Sequence, residues 1–298
     1  MIKNRLVNCA IGIPAFNEEK SIAAIITRLK KKYQTIIVCD DGSSDLTGEI
    51  AEKLGAIVIR HTKNLGYGGA IRSIFLKSLE LQIDVLVTFD ADGQHNVDDI
   101  ELVLKPIIND EADICIGSRF LKNNNDIPKY RKIGIKTITE ITNVTTGLKI
   151  SDSQSGFRVY NKKVLEKITP SEFGMGVSTE ILIKSKKENF RIVEIPITIS
   201  YEGNKSSQNP ITHGGGVILS TMKYVSIERP LTFYVIPGLI LLSVGLFFTI
   251  WTLNIFSDSG KIITNIVLIG IGGIILGIIC IMTGVILYSI ISVVRERK

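Results

Sequence analysis

Two carboxylates two residues apart, in Asp90-Ala91-Asp92-Gly93-Gln94, follow directly on the apolar run 85–89. Placed at the end of a strand, such a pair converges on one hard cation, and Mg²⁺ or Mn²⁺ takes oxygen ligands of this kind while sharing its shell with substrate phosphates. The amide oxygen of Gln94 offers a third ligand. The same stretch also reads as a polar loop whose acids cap the next helix, a role open to Asp98 or Asp99. A second acidic motif, Asp40-Asp41-Gly42-Ser43-Ser44-Asp45, follows the run 35–39. Asp40 is placed to accept hydrogen bonds from a base or ribose, and Asp45 to cap the helix starting near Leu46. Pro14-Ala15-Phe16-Asn17-Glu18 follows the run 8–13, either wrapping the edge of a nucleotide or turning into a helix. Asn64-Leu65-Gly66-Tyr67-Gly68-Gly69-Ala70 is glycine-rich and opens a helix, so it admits an anion at a helix N-terminus. It lacks the spacing and lysine of a P-loop.

The elements that carry these motifs alternate. Strand-like runs at 8–13, 35–39, 56–60, 85–89 and 114–117 are separated by helix-like stretches at 21–31, 46–54, 69–80 and 97–108. This order predicts an α/β fold with a doubly wound, mostly parallel sheet, which binds ligands beyond the carboxyl ends of its strands. Three polar motifs at three strand ends imply one shared crevice. The pattern is less regular from Phe120 to about Pro210, with one further strand-like run at 190–200. Residues 217–228 place Ile218, Met222 and Val225 at helical spacing, as in a helix lying on a membrane surface.

The end of the chain differs in kind. Residues 231–253 and 262–294 carry no charged side chain, and each run exceeds the roughly 20 residues that a bilayer-crossing helix needs. A transmembrane hairpin is expected, with helices at about 231–253 and 264–290. The expected division is 1–216 for a catalytic head, 217–230 for the interfacial helix and 231–298 for the hairpin. Glycines 270, 272, 273 and 277 permit close packing of the two spans. Four basic residues against two acidic ones give the segment after Pro230 a net charge of +2, which leaves +4 of the chain's +6 on the 230 residues before it. That balance is too mild for a nucleic-acid-binding surface. Basic residues flank the outer ends of the hairpin (Lys223, Arg229, Arg295, Arg297 and Lys298), so both termini and the head are expected in the cytoplasm. Met1 to Cys9 holds only a short apolar stretch, and no signal peptide is expected. The four cysteines (Cys9, Cys39, Cys115 and Cys280) form no CxxC pair and read as reduced thiols.

As an ordered set, these motifs resemble the family-2 glycosyltransferases of the GT-A fold, and within them the dolichyl-phosphate mannose synthase-like branch. Beyond the motifs above, the matching residues include Gly117-Ser118-Arg119, the run Asp152-Ser153-Gln154-Ser155-Gly156-Phe157-Arg158, and Glu194-Ile195-Pro196-Ile197. The resemblance implies that Pro14, Ala15, Glu18, Asp40 and Asn64, together with Asp90 and Ala91, contact a nucleotide sugar. It implies further that Asp90, Asp92 and Gln94 hold the metal, and that Arg119 and Arg131 face phosphates. Mannose synthases of this group usually carry an Arg-x-x-Gly-Glu-Ser-Lys-like segment after the Glu-x-Pro strand. Here residues 201–210 depart from it, resembling relatives that use other sugars, and Lys205 is the candidate basic residue. The expected donor is a hexose or N-acetylhexosamine carried on UDP or GDP.

A lipid monophosphate has a second pKa near 6, by analogy with phosphorylated side chains, and attacks as a dianion without a general base. Single-step displacement of this kind inverts the anomeric centre. The enzyme then only positions the acceptor and neutralises charge on the leaving diphosphate, with Arg119, Arg131 and Lys205 on the phosphates. A glycan hydroxyl acceptor would instead require a base, for which Asp152 and Glu180 are the candidates. A nucleotide-sugar-binding scaffold without activity is the non-enzymatic alternative. The expected partners are a nucleotide-sugar donor, a dolichyl or other polyprenyl phosphate and the membrane, with self-association left open.

Overall fold

Apolar runs short enough for strands and amphipathic runs long enough for helices alternate through the first half of the chain, and they fold in that order. The computed structural model describes residues 8–121, 129–199, 222, 225–227 and 229–296. The chain divides into two units, residues 1–221 and 222–298.

The first unit is built on a seven-stranded sheet of β1 (Cys9–Ala15), β2 (Thr35–Asp40), β3 (Ile57–Arg60), β4 (Val85–Thr88), β5 (Ile114–Ser118), β6 (Arg158–Asn161) and β7 (Ile192–Pro196). The spatial order is β3-β2-β1-β4-β6-β5-β7. Every pairing is parallel except those of β6, which runs antiparallel to both β4 and β5. The expected mostly parallel α/β sheet is thus present, with one antiparallel strand inserted that the sequence pattern did not indicate.

Successive residues of β2 serve opposite faces. Ile36 and Val38 join a core built with α1 (Glu19–Leu29), α2 (Thr47–Lys53) and α4 (Asp99–Ile108). Ile37 and Cys39 join the core on the other side, with α3 (Tyr67–Glu80), α6 (Lys162–Lys167) and α7 (Val177–Lys187). Two covered faces explain why the strands read as continuous apolar runs rather than alternating ones. A further helix, α5 (Lys129–Thr146), lies between β5 and β6 in the chain. The strand order reverses direction at β1, with β2 on one side and β4 on the other, which makes the carboxyl ends of these strands a topological switch point.

In the second unit, a π-helical turn (Leu231–Val235) leads into α8 (Ile236–Ser259), and α9 (Thr264–Glu296) follows. The apolar stretches Leu231–Ser259 and Thr264–Val294 hold 29 and 31 residues. At about 1.5 Å per residue each is roughly 45 Å long, enough for a bilayer core of about 30 Å. Phe247, Ile240 and Leu268 are more than half exposed, so these are not core helices of a soluble fold. The first helix continues past residue 253 to Ser259 and stops at Gly260, whose φ of +63° allows its N–H to close on the Phe256 carbonyl. The helices meet through glycine. A Cβ at Gly245 would lie 2.5 Å from the Ile274 nitrogen, and one at Gly273 would lie 2.9 Å from the Gly245 Cα. Gly277 meets α8 in the same way, whereas Gly272 faces open space. Of residues 217–230, expected as an interfacial helix, only 222, 225–227, 229 and 230 are among those described.

Candidate functional site

Strand register brings the motifs together. Ala15, the last residue of β1, pairs with Asp40, the last of β2, while Gly12 pairs with Thr88 of β4 two residues before Asp90. The loops after β1 and β2 are stitched to each other. Asn17 and Glu18 donate their backbone N–H groups to Ser43 Oγ (2.9 Å) and Thr47 Oγ1 (2.7 Å), and Asn17 Oδ1 accepts from Ser44 N–H. Asp40 is buried and its Oδ1 accepts from Ser43 N–H at 2.9 Å. Asp45 braces the start of α2 by accepting from Thr47 N–H and, across the crevice, from Glu19 N–H. It does so from one residue ahead of the helix boundary at Leu46, so it ties two loops together as well as serving the helix.

Asp90 is held from two sides. Tyr67 donates its hydroxyl to Oδ1 (3.1 Å), and His95 Nε2 lies 3.3 Å from Oδ2. A Cβ at Gly156 would come within 2.5 Å of Oδ2, so only glycine lets the loop before β6 approach this carboxylate. Burial disfavours the charge on Asp90, but the His95 and Tyr67 hydrogen bonds and the Arg119 charge outweigh it and hold the carboxyl below its ordinary range. Asp92 moves the other way: burial and the neighbouring Asp90 charge push it up. Glu18 is pushed up as well, by burial and then by the charges of Asp92, Asp45 and Asp90. Four carboxylates, Glu18, Asp45, Asp90 and Asp92, thus share one region and repel one another.

That repulsion fits a divalent cation. Among the described residues no group of three or more His, Cys, Asp or Glu converges as a closed metal cage. Two carboxylates with open positions are the donor set of a cation that completes its shell with phosphate oxygens and water. Gln94 donates its backbone N–H to Asp92 Oδ1 at 2.9 Å, which orients that carboxylate. Two buried polar atoms beside Asp90 have no hydrogen-bond partner among the described residues, His95 Nδ1 and Ser155 Oγ. Neither Asp98 nor Asp99 caps α4 through its side chain. Asp99 instead accepts from Thr198 N–H, and Asn96 Oδ1 accepts from Asp98 N–H.

The glycine-rich segment is not an anion cradle. The N–H groups of Gly68 and Gly69, at the start of α3, both donate to the Phe173 carbonyl (2.8 and 3.2 Å). Gly66 adopts φ +92°, and a Cβ there would lie 2.6 Å from the same oxygen. The glycines admit another piece of backbone rather than a phosphate. Asn64 Oδ1 and both oxygens of Asp41 hold the turn through the Leu65 and Gly66 amides.

Arg119 and Asp152 form a bidentate pair. Arg119 Nε and Nη2 donate to the two carboxylate oxygens at 2.6 and 2.7 Å, and the Arg119 backbone N–H adds a third bond. The Asp152 side chain is fully buried. Burial works against its charge, and Arg119 more than offsets this, leaving the carboxyl below the usual range. Glu194, a motif residue to which the sequence assigned no role, anchors this loop from β7 by accepting from Ser151 N–H, Ser151 Oγ and Asp152 N–H. Glu180 is fully buried and accepts from the Ser171 and Glu172 amides, the Ser171 hydroxyl and Lys184 Nζ. It organises the segment that carries Phe173. Both acids named as candidate bases are therefore engaged by several donors each. Arg158, the last residue of the Asp152–Arg158 motif and likewise given no role there, is buried and donates to the carbonyls of Ser153, Ser155 and Ser178. Arg131, near the start of α5, carries a charge that favours ionisation of Asp92. Lys205 lies outside the described residues.

Comparison with known proteins places the chain in a family. The family model for Glycosyl transferase family 2 matches residues 10–169. The chain is 37% identical over 211 residues to a UDP-N-acetylglucosamine–dolichyl-phosphate N-acetylglucosaminyltransferase of Methanococcus voltae, covering 63% of this chain and 84% of that protein. It is 28% identical over 222 residues to a dolichyl-phosphate hexose transferase of Haloferax volcanii, covering 74% and 95%. Among solved structures, glucosyl-3-phosphoglycerate synthase from Mycobacterium tuberculosis, crystallised with Mn²⁺, UDP and phosphoglyceric acid, superposes with a TM-score of 0.58 at 18% identity. That alignment covers 74% of this chain and 78% of the other, and it supports the GT-A fold.

Proposed function

Because the chain belongs to glycosyl transferase family 2, we propose that it transfers a hexose or N-acetylhexosamine from a UDP- or GDP-sugar to dolichyl or another polyprenyl phosphate, inverting the anomeric centre. The observation that carries the reading is the half-buried pair Asp90 and Asp92 at the switch point, acted on by the charges of Arg119 and Arg131. Asp90, Asp92 and Gln94 would hold Mg²⁺ or Mn²⁺, which supplies positive charge to the leaving diphosphate. Pro14, Ala15, Glu18, Asp40, Asn64 and Ala91 line the nucleotide-sugar side of the crevice. Arg119, Arg131 and Lys205 serve the phosphates, Arg119 while held in orientation by Asp152. A phosphate dianion needs no proton removed as it attacks. The engagement of Asp152 and Glu180 by fixed donors supports such an acceptor over a glycan hydroxyl.

The catalytic head is assigned to residues 1–216, an interfacial helix to 217–230 and a two-helix anchor in the cell membrane to 231–298. Both termini are on the cytoplasmic side. The segment between the two spans then lies outside. A Ser257→Cys variant in intact cells is expected to react with an impermeant thiol reagent. Reaction of a cysteine introduced at exposed Glu52 instead would reverse the topology.

The activity is tested by offering purified full-length protein a panel of UDP- and GDP-sugars with dolichyl phosphate and Mn²⁺. One donor class is expected to yield an organic-phase sugar lipid. No transfer from any member of the panel would end the reading.

A further inference from the structure

Three polar side chains stand in line under the turn that opens α3. His61 follows β3, with Nδ1 2.6 Å from Asp41 Oδ1 and Nε2 2.8 Å from Ser73 Oγ. The His61 and Asp41 side chains are 9% and 5% exposed, so water does not compete for these bonds. An ionised carboxylate only accepts, hence Nδ1 carries a hydrogen toward Asp41, while Nε2 pairs with the Ser73 hydroxyl. Cys39 Sγ also lies against the ring, 3.6 Å from Nε2; burial pushes its thiol up to about 12.

The far side of Asp41 faces the turn. Its Oδ1 accepts from Leu65 N–H at 2.9 Å and its Oδ2 from Gly66 N–H at 2.8 Å. Gly66 directly precedes Tyr67, whose hydroxyl donates to Asp90 Oδ1. Burial pushes the Tyr67 hydroxyl well above its ordinary range, so it remains a donor. A hydrogen-bonded path therefore runs from Ser73 through His61, Asp41 and the Leu65–Gly66 amides to Tyr67 and the acidic pair. Rotation of the Asp41 carboxylate would break both amide bonds at once.

We propose that His61 is a positioning residue for the nucleotide-sugar donor: it fixes the Asp41 carboxylate, which fixes the turn that sets the Tyr67 hydroxyl against Asp90. The inference rests on the reading of Asp90 and Asp92 as the donor-side metal ligands. His61 touches neither donor nor acceptor in it. Its effect is that of an outer-shell partner orienting a ligand.

The test measures binding rather than turnover. UDP and GDP, each with Mn²⁺, are titrated calorimetrically into the full-length chain in detergent. The variants are His61→Ala, Tyr67→Phe and the double substitution. Each single variant is expected to bind the preferred nucleotide about tenfold more weakly, the low end for outer-shell partners. The double variant should bind little more weakly than either single one, because both cut the same path. His61→Gln, which keeps an N–H for Asp41, should bind more tightly than His61→Ala. Wild-type binding by His61→Ala, or single losses that multiply in the double variant, would overturn the inference and leave the proposed function standing. If His61→Ala does not fold, Ser73→Ala cuts the path at its far end and should weaken binding a few-fold. Unchanged binding in both Ser73→Ala and Tyr67→Phe overturns the path. A wild-type chain that binds neither nucleotide with Mn²⁺ overturns the proposed function, and the inference falls with it.

Discussion

Replacing Asp92 with Asn is expected to lower turnover by about 10³-fold, the equivalent of about 4 kcal/mol of lost transition-state stabilisation. The two side chains have the same shape, and the amide oxygen of the Asp92→Asn variant would still accept from the Gln94 N–H. What disappears is one negative charge from a half-buried cluster shared with Asp90 and Glu18. Because the folded state raises the Asp92 pKa, its charge opposes folding once pH rises past the ordinary carboxylate range. Without metal, the variant should therefore unfold at neutral pH no sooner than wild type. Loss of rate with unimpaired stability is the signature of a metal ligand. Near-normal turnover that still requires metal would remove Asp92 from that role.

Asp152→Ala should act on stability first. It leaves Arg119, whose side chain is 15% exposed, without its bidentate partner. Breaking a buried pair from one side costs about 3–5 kcal/mol. At roughly 2–4 °C per kcal/mol for a unit of this size, melting should fall on the order of 10 °C. The pH dependence has a definite sign. Arg119 lowers the Asp152 pKa in the folded state, so the pair's contribution is complete above the unfolded carboxylate pKa near 4 and is lost as pH falls through the lower folded value. The wild-type chain should show this acid-labile contribution, and Asp152→Ala should lack it. Asp152→Asn, which retains one acceptor for Arg119, and Glu180→Gln should both keep measurable transfer to dolichyl phosphate. A wild-type melting temperature combined with a loss of 10²-fold or more in kcat for either variant would instead identify a general base.

The sheet through β5, the strand-end motifs and the two long apolar helices were legible because each writes itself locally. Polar residues end apolar runs, and uncharged stretches exceed 20 residues. The middle of the chain resisted for physical reasons. Strand β6 has only four residues and owes its place to partners about 70 and 45 positions away, β4 and β5. Helix α5 inverts the usual pattern. It buries Thr139, Thr142, Thr145 and Thr146, whose hydroxyls bond back to helix carbonyls or to Ser153, while Ile133 and Val144 are exposed. Apolar periodicity cannot report such a helix. The glycine-rich segment misled because its partner, Phe173, lies about a hundred residues downstream. Glu194 and Asp41 hold loops by accepting backbone amides, and nothing in their immediate sequence distinguishes that task from solvation.

The proposed acceptor is a lipid phosphate. The most direct measurement offers the wild-type chain, with its preferred nucleotide sugar and Mn²⁺, three acceptors in parallel: dolichyl phosphate, dolichol of the same chain length and a free oligosaccharide. Transfer to dolichyl phosphate alone is expected, since dolichol has the same chain but a hydroxyl, and the two candidate bases, Asp152 and Glu180, are held by fixed donors. Equal transfer to dolichol, or transfer to the oligosaccharide and not to the lipid phosphate, would contradict it.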